Sequence, residues 1–338
     1  MTSLDRAIAG LLVGRSAASL ATAHSQLSLG YREGRPGGDD ALSETAVLAY
    51  VAGRLPATVG ANHRALAAVA ELLPAFAPRS QLDLGTGPGG AAWAAEQLWP
   101  SILDVKLVDR DTEMLRAGQQ LRALRELEIR RQPGAAPSGA APWVWQRLDL
   151  AVWATLLAQE GEVGATDLVT LGYALGELGD ETARTVAEAA WAATSGCLVI
   201  VEPGTPAGFE RVREVRGALI GRGATLVAPC PHEGSCPVTQ GDWCHFAARV
   251  NRSAVHRQLK NGGRSFEDEK FSYVAFTRGE AELPAGRVVR RPVRRRRLVE
   301  LTSCRGHDIA QLAVGRSSPG YRQAVALGWG DAVPPGLV

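Results

Sequence analysis

Apolar residues recur at helical spacing over positions 4–29, 46–55 and 63–73, which predicts a helical region over residues 1–75. A Gly/Pro-rich stretch at 34–40 interrupts it. From position 81 the pattern changes to short apolar runs alternating with amphipathic segments. Strands are expected at 81–84, 105–108, 144–147, 168–171 and 198–201, with helices at 91–98, 112–122 and 181–193 between them. That alternation predicts an α/β fold with a doubly wound parallel sheet covered by helices on both faces.

The segment 131–142, rich in Pro, Gly and Ala, reads as a surface loop, and a helix is expected at 209–222. Regularity then fails through 228–242. A helix at 249–260 and a strand at 271–276 follow, and short runs at 296–301 and 309–314 predict a β-rich tail. The expected organisation is therefore an N-terminal helical region (1–75), a Rossmann-like domain (76–223), a cysteine-bearing insertion that returns to the sheet (224–282) and a basic C-terminal region (283–338).

Hydrophobic residues make up 46% and charged residues 21% of 338 positions, the balance of a soluble globular chain. No apolar run reaches the length of a membrane span. The short apolar run at 8–13 lies between Asp5 and Arg15 and reads as an amphipathic helix, not a signal peptide, so a cytoplasmic compartment and no membrane partner are expected. Net charge is only +2, but ten arginines against Glu300 and Asp308 fall between positions 287 and 322. Such a concentration points to an anionic partner for the tail.

The string Asp83-Leu84-Gly85-Thr86-Gly87-Pro88-Gly89-Gly90 follows the first predicted strand and opens a helix. Glycines let the backbone turn tightly and approach a ligand, and the helix start offers free N–H groups. Asp109 ends the next strand at the spacing of a ribose-binding carboxylate, and Asp149 ends the third, where an adenine amino group would be held. Three acids at successive strand ends, with Asp83 leading the loop, favour S-adenosylmethionine (SAM) over a dinucleotide. This defines a class I SAM-methyltransferase fold with Asp83, Gly85, Thr86, Gly87, Gly89, Asp109 and Asp149 at the cofactor. Tyr173 and Glu177, after the fourth strand, lie where a methyl acceptor would stand, with core packing or helix capping the alternative. The segment lacks an Asn/Asp-Pro-Pro-aromatic motif, and no residue is assigned a catalytic role.

Of five cysteines, Cys230, Cys236 and Cys244 fall within fifteen positions and Cys304 much later, while Cys197 lies in a predicted core strand. An odd number argues against a disulfide framework. The spacings lack the short knuckles of structural zinc sites. Iron–sulfur clusters tolerate varied spacing. Spacing alone leaves the metal open, with His232 and His245 as competing ligands and inert buried thiols as the plain alternative.

With these residues in view, the sequence resembles the methyltransferase-like assembly factors of the mitochondrial small ribosomal subunit and their bacterial relatives. The likeness runs through 54–58, 83–89, 201–209, 228–232 with Cys236, 242–246 and 267–273. It implies a 4Fe-4S cluster held by Cys230, Cys236, Cys244 and Cys304. It also implies action on the small subunit and its 16S-type rRNA, by methyl transfer or by using SAM and the cluster structurally. In that light Arg290, Arg291, Arg294, Arg295, Arg296 and Arg297 are expected to meet rRNA phosphates, a solvated strand edge being the alternative. Off the ribosome the protein is expected to be a monomer.

Overall fold

The computed structural model describes residues 2–32, 42–131, 142–160, 165–260 and 263–337. The stretch 34–40 and nearly all of the surface loop expected at 131–142 lie outside them. Four helices open the chain: α1 (Ser3–Leu11), α2 (Ala17–Arg32), α3 (Glu44–Gly53) and α4 (Leu55–Leu72). Thr2 and Asp5 form a reciprocal cap at the start of α1, and Ser43 caps α3. Pro56 opens α4, where its missing N–H costs nothing.

The alternating part follows as β1 (Ser80–Leu84), α5 (Gly90–Leu98), β2 (Asp104–Asp109), α6 (Thr112–Arg130), β3 (Trp143–Arg147), α7 (Leu150–Glu160), β4 (Thr166–Gly172), α8 (Asp180–Ala192), β5 (Thr194–Pro203), α9 (Pro206–Ile220) and β6 (Thr225–Ala228). Next come β7 (Phe246–Asn251), α10 (Ala254–Leu259) and β8 (Phe266–Thr277). Among the described residues the strands form one sheet in the order β3-β2-β1-β4-β5-β8-β6, with β7 added along β8. Strands β1 to β5 are parallel, and β8 runs antiparallel to β5, β6 and β7. This is the class I methyltransferase order, in which the sequence of strands reverses between β1 and β4, where open α/β sheets bind ligands.

The helix expected at 249–260 is instead a strand followed by a short helix. Burial alternates along Phe246–Asn251, so its period is two, and Ser253 then caps α10 through the His256 N–H. One core gathers α1, α3, α4 and α5 on one face of the sheet, and another gathers α7, α8 and α9 on the opposite face. A third, smaller core lies in the tail. There β9 (Gly286–Val288), β10 (Val293–Arg295), β11 (Leu298–Arg305), β12 (Asp308–Gly315), α11 (Tyr321–Ala326) and β13 (Ala332–Val333) build a second sheet.

Candidate functional site

Two sites meet the parts of the fold just described. The first is the turn after β1. Gly85, Gly87 and Gly89 all have positive φ (68°, 52° and 92°), which L side chains rarely adopt. The loop is pinned to β2: Gly85 and Thr86 donate to the Val108 carbonyl (2.8 and 3.0 Å), and the Gly87 N–H donates to Asp109 Oδ2 (2.7 Å). A Cβ on Gly85 would stand 2.4 Å from that of Ala174, so the turns after β1 and β4 touch at the switch point.

Asp83 is buried, and both its carboxylate oxygens accept hydroxyl hydrogen bonds, from Thr86 (2.5 Å) and Thr170 (2.7 Å). It fastens the loop from beneath, and each oxygen keeps acceptor capacity beyond the one hydroxyl it holds. Burial pushes its pKa up to about 6, against the pull of the two hydroxyls. Asp109 is pushed up as well, again chiefly by burial. Asp149 accepts from the N–H groups of Ala151 and Val152 (2.8 and 3.4 Å) at the start of α7. The glycine loop thus lies over two partly uncompensated carboxyls, a setting that favours a cationic ligand.

The turn after β4 carries the other half of this site. Tyr173 has φ 62°, an uncommon conformation for an aromatic residue. Its hydroxyl donates to Glu269 Oε1 (3.2 Å), which also pairs with Arg54 (3.3 Å). Fully buried Glu202 accepts the Leu175 N–H (3.1 Å) and the Arg211 Nε–H (3.0 Å), fixing the turn. The Glu177 carboxyl is pushed up to about 7, first by burial and then by the Asp109 charge. Arg54, Glu202 and Glu269 fall within the strings that carry the family likeness but had no role from the sequence, because their roles arise from the way the start of α4, β5 and β8 converge.

The second site is a cavity of about 580 Å³, including the solvent at its mouth. Cys230, Cys236, Cys244 and Cys304 all line it, although they come from the loop after β6, the residues before β7, and β11. Cys197 stays apart in the core of β5, as expected. Burial raises the Cys230 thiol, with Arg216 opposing. Cys244 is raised well above the usual thiol range, by burial and then by the other three cysteines. Cys304 is pushed up to about 12, by burial and then by Cys230 and Cys236.

Of the two histidines weighed as ligands, His232 Nε2 stands 3.6 Å from Cys304 Sγ, while His245 stacks on Trp243. As they stand, no three or more His, Cys, Asp or Glu side chains among the described residues are arranged to hold a metal ion. The four thiols line the wall of one space. Two buried arginines, Arg216 and Arg287, also line that space.

The arginine run is mostly exposed, and four of its members also have partners within the protein. Arg290 pairs with Asp242 (2.5 Å), Arg291 with Asp268 (3.2 Å) and Arg295 with Glu300 (3.3 Å), while Arg294 donates to the Leu327 carbonyl (2.6 Å). Arg296 and Arg297 form the exposed turn between β10 and β11.

Fold and loop together define a methyltransferase-like protein of class I. A family model described as "Mitochondrial small ribosomal subunit Rsm22" matches residues 44–334. The chain belongs to this Rsm22 family. It is 30% identical over 313 residues to the human "Ribosome assembly protein METTL17, mitochondrial", covering 86% of this chain and 63% of that protein. It is 24% identical over 260 residues to the "Rsm22-cox11 tandem protein 2, mitochondrial" of Schizosaccharomyces pombe, covering 70% of this chain and 32% of that protein. The chain thus spans less than two thirds of the length of either.

Among solved structures it is similar to the N-methyltransferase NodS of Bradyrhizobium japonicum in complex with S-adenosyl-L-homocysteine (TM-score 0.38, 14% identity, 64% of this chain and 86% of that one). It is also similar to the magnesium protoporphyrin IX methyltransferase of Synechocystis with bound SAM (TM-score 0.37, 15% identity, 75% and 93%). Likenesses this loose add nothing to the sheet order described above. The cytoplasmic compartment expected from the sequence is corrected, because the family description and both curated relatives are mitochondrial. The apolar run at 8–13 covers the end of α1, its C-cap Leu12 and the exposed Val13, and its inward residues Ile8 and Leu12 pack in the core.

Proposed function

We propose that the protein is a SAM-binding factor of small ribosomal subunit maturation that acts on rRNA and carries a 4Fe-4S cluster on Cys230, Cys236, Cys244 and Cys304. Support comes first from one observation: the family match covers a single chain in which the glycine loop and all four cysteines are each built into a site. At the first site, Asp83 and Asp109 set a negative field beneath Gly85, Thr86, Gly87 and Gly89, suited to the cationic amino-acid half of SAM. Asp109 is placed for the ribose hydroxyls and Asp149 for the adenine. SAM, when bound, would supply the methyl group, and an acceptor atom that carries hydrogen would have to give up a proton. Glu177, with its carboxyl pushed up to about 7, is the proton acceptor this geometry offers. Exposed Arg296 and Arg297 supply the phosphate contacts, with little base readout.

At the second site, the cluster would be held by four thiolates and would supply a fixed, compact cross-link between the tail and the sheet. The test is methylation mapping of small-subunit rRNA in cells lacking the gene and in cells carrying Glu177→Gln. Loss of the same mark in both, with subunit assembly kept in the Glu177→Gln strain, is the expected result. Intact marks alongside failed assembly in the null strain would overturn the enzymatic reading in favour of a purely structural factor.

A further inference from the structure

Arg216, on α9, and Arg287, on β9, are 6% and 2% exposed and both line the cysteine cavity. Each spends only part of its guanidinium on the protein. Arg216 donates from Nη2 to the His232 carbonyl (2.6 Å), and Arg287 donates from Nε to the Pro229 carbonyl (2.7 Å) and from Nη1 to the Gly330 carbonyl (3.1 Å). Arg216 Nε and Arg287 Nη2 are buried with no hydrogen-bond partner, and His232 Nδ1, on the same cavity wall, shares that state. A buried donor left unpaired costs about 1–3 kcal/mol, more for a charged group. The hydrogen bonds that both arginines make go to backbone carbonyls and not to carboxylates, although a buried charge is normally paired. Two uncompensated cations and two idle N–H groups beside four thiols describe a receptor for an anion rich in sulfur.

We propose that Arg216 and Arg287 are positioning residues that hold an anionic, sulfide-bearing cluster by charge and by N–H···S hydrogen bonds, and so raise its reduction potential. The proposal rests on the cluster reading given above. Reduction adds one electron to the cluster and makes or breaks no bond. The reduced form is more negative by one charge, so buried cations stabilise it over the oxidised form. Neutralising either arginine therefore lowers the potential and loosens the cluster.

The experiment is a potentiometric dithionite titration, followed by electron paramagnetic resonance, of the anaerobically loaded full chain. It compares wild type, Arg216→Gln and Arg216→Lys. Arg216→Gln is expected to shift the reduction equilibrium at least tenfold toward the oxidised form, about 59 mV for a one-electron couple. Arg216→Lys, which keeps the charge, is expected to restore most of that shift. Equal midpoints in wild type and Arg216→Gln would overturn the proposal while leaving the cluster reading intact. A wild type that binds neither iron nor sulfide would overturn both. Should Arg216→Gln lose its cluster before titration, its rate of iron loss to a chelator decides. A rate at least tenfold above that of Arg216→Lys supports the proposal, and equal rates contradict it.

Discussion

At Asp83, burial and function pull in opposite directions. An acid whose folded pKa is raised is protonated in the folded chain while already ionised in the unfolded one. With an ordinary value of 3.8 and a folded value of about 6, the ligand-free protein loses stability as pH climbs between those limits. The loss is roughly 3 kcal/mol for a shift of two units. Thermal unfolding of wild type should show that slope, and Asp83→Asn should flatten it. A variant whose profile ran parallel to wild type would show that Asp83 is not its source. The glycines and acids of this loop were legible in the sequence because they lie within one local motif. What no local pattern carries is that both Asp83 oxygens are already engaged by Thr86 and Thr170, since Thr170 arrives from a different strand.

Among the elements, β8 does the most to join the molecule. Its first half pairs with β7 and its second half lies between β5 and β6. Glu269 on this strand reaches Tyr173 and Arg54 at the first site, while Ser272 donates to the Cys244 carbonyl (2.8 Å) at the second. Glu267 anchors α10: Lys260 Nζ stands 2.6 Å away, Arg252 Nη2 3.0 Å and His256 Nε2 3.3 Å. Burial alone would raise this carboxyl, but His256 and Lys260 together hold it well below the usual carboxylate range. Removing one partner of such a group strands the others, so Glu267→Gln is expected to cost about 3 kcal/mol in urea unfolding. A cost near zero would mark the cluster as a solvent-screened one.

The five parallel strands were legible because their runs are short, bounded by turns and alternate with helical segments. Two features were not. The α7 segment is apolar nearly throughout, so its period is hidden, and β9, β10 and β13 are too short to leave a pattern. At 249–260, mixed polar and apolar residues matched a helix, until pairing with β8 selected the extended form for the first part.

For the whole molecule, the tail is fastened to the rest by links that are in part buried and in part exposed. Arg287 bridges the Pro229 and Gly330 carbonyls, Arg64 pairs with Asp331 (2.6 Å), and Cys304 reaches the cavity that holds the other three cysteines. Within the basic run, read from sequence as one RNA-facing patch, Arg290 and Arg291 pair with acids outside the tail and Arg294 and Arg295 with groups inside it, while Arg296 and Arg297 are exposed like Arg291, Arg294 and Arg295. Sequence counts charge but not its partners, which is why these pairings appear only in the fold. That four cysteines from distant segments line one cavity is likewise a tertiary fact; close spacing grouped Cys230, Cys236 and Cys244 beforehand, and the family likeness added Cys304.

The central claim is that these four thiols form one cluster site joining tail and sheet. Its most direct test is the iron and acid-labile sulfide content of anaerobically purified protein, with the visible absorption spectrum, for wild type beside Cys304→Ser. The account predicts a brown wild type with about four irons and four sulfides per chain, and loss of both in the variant. A colourless wild type with stoichiometric zinc, or with no metal at all, would contradict it.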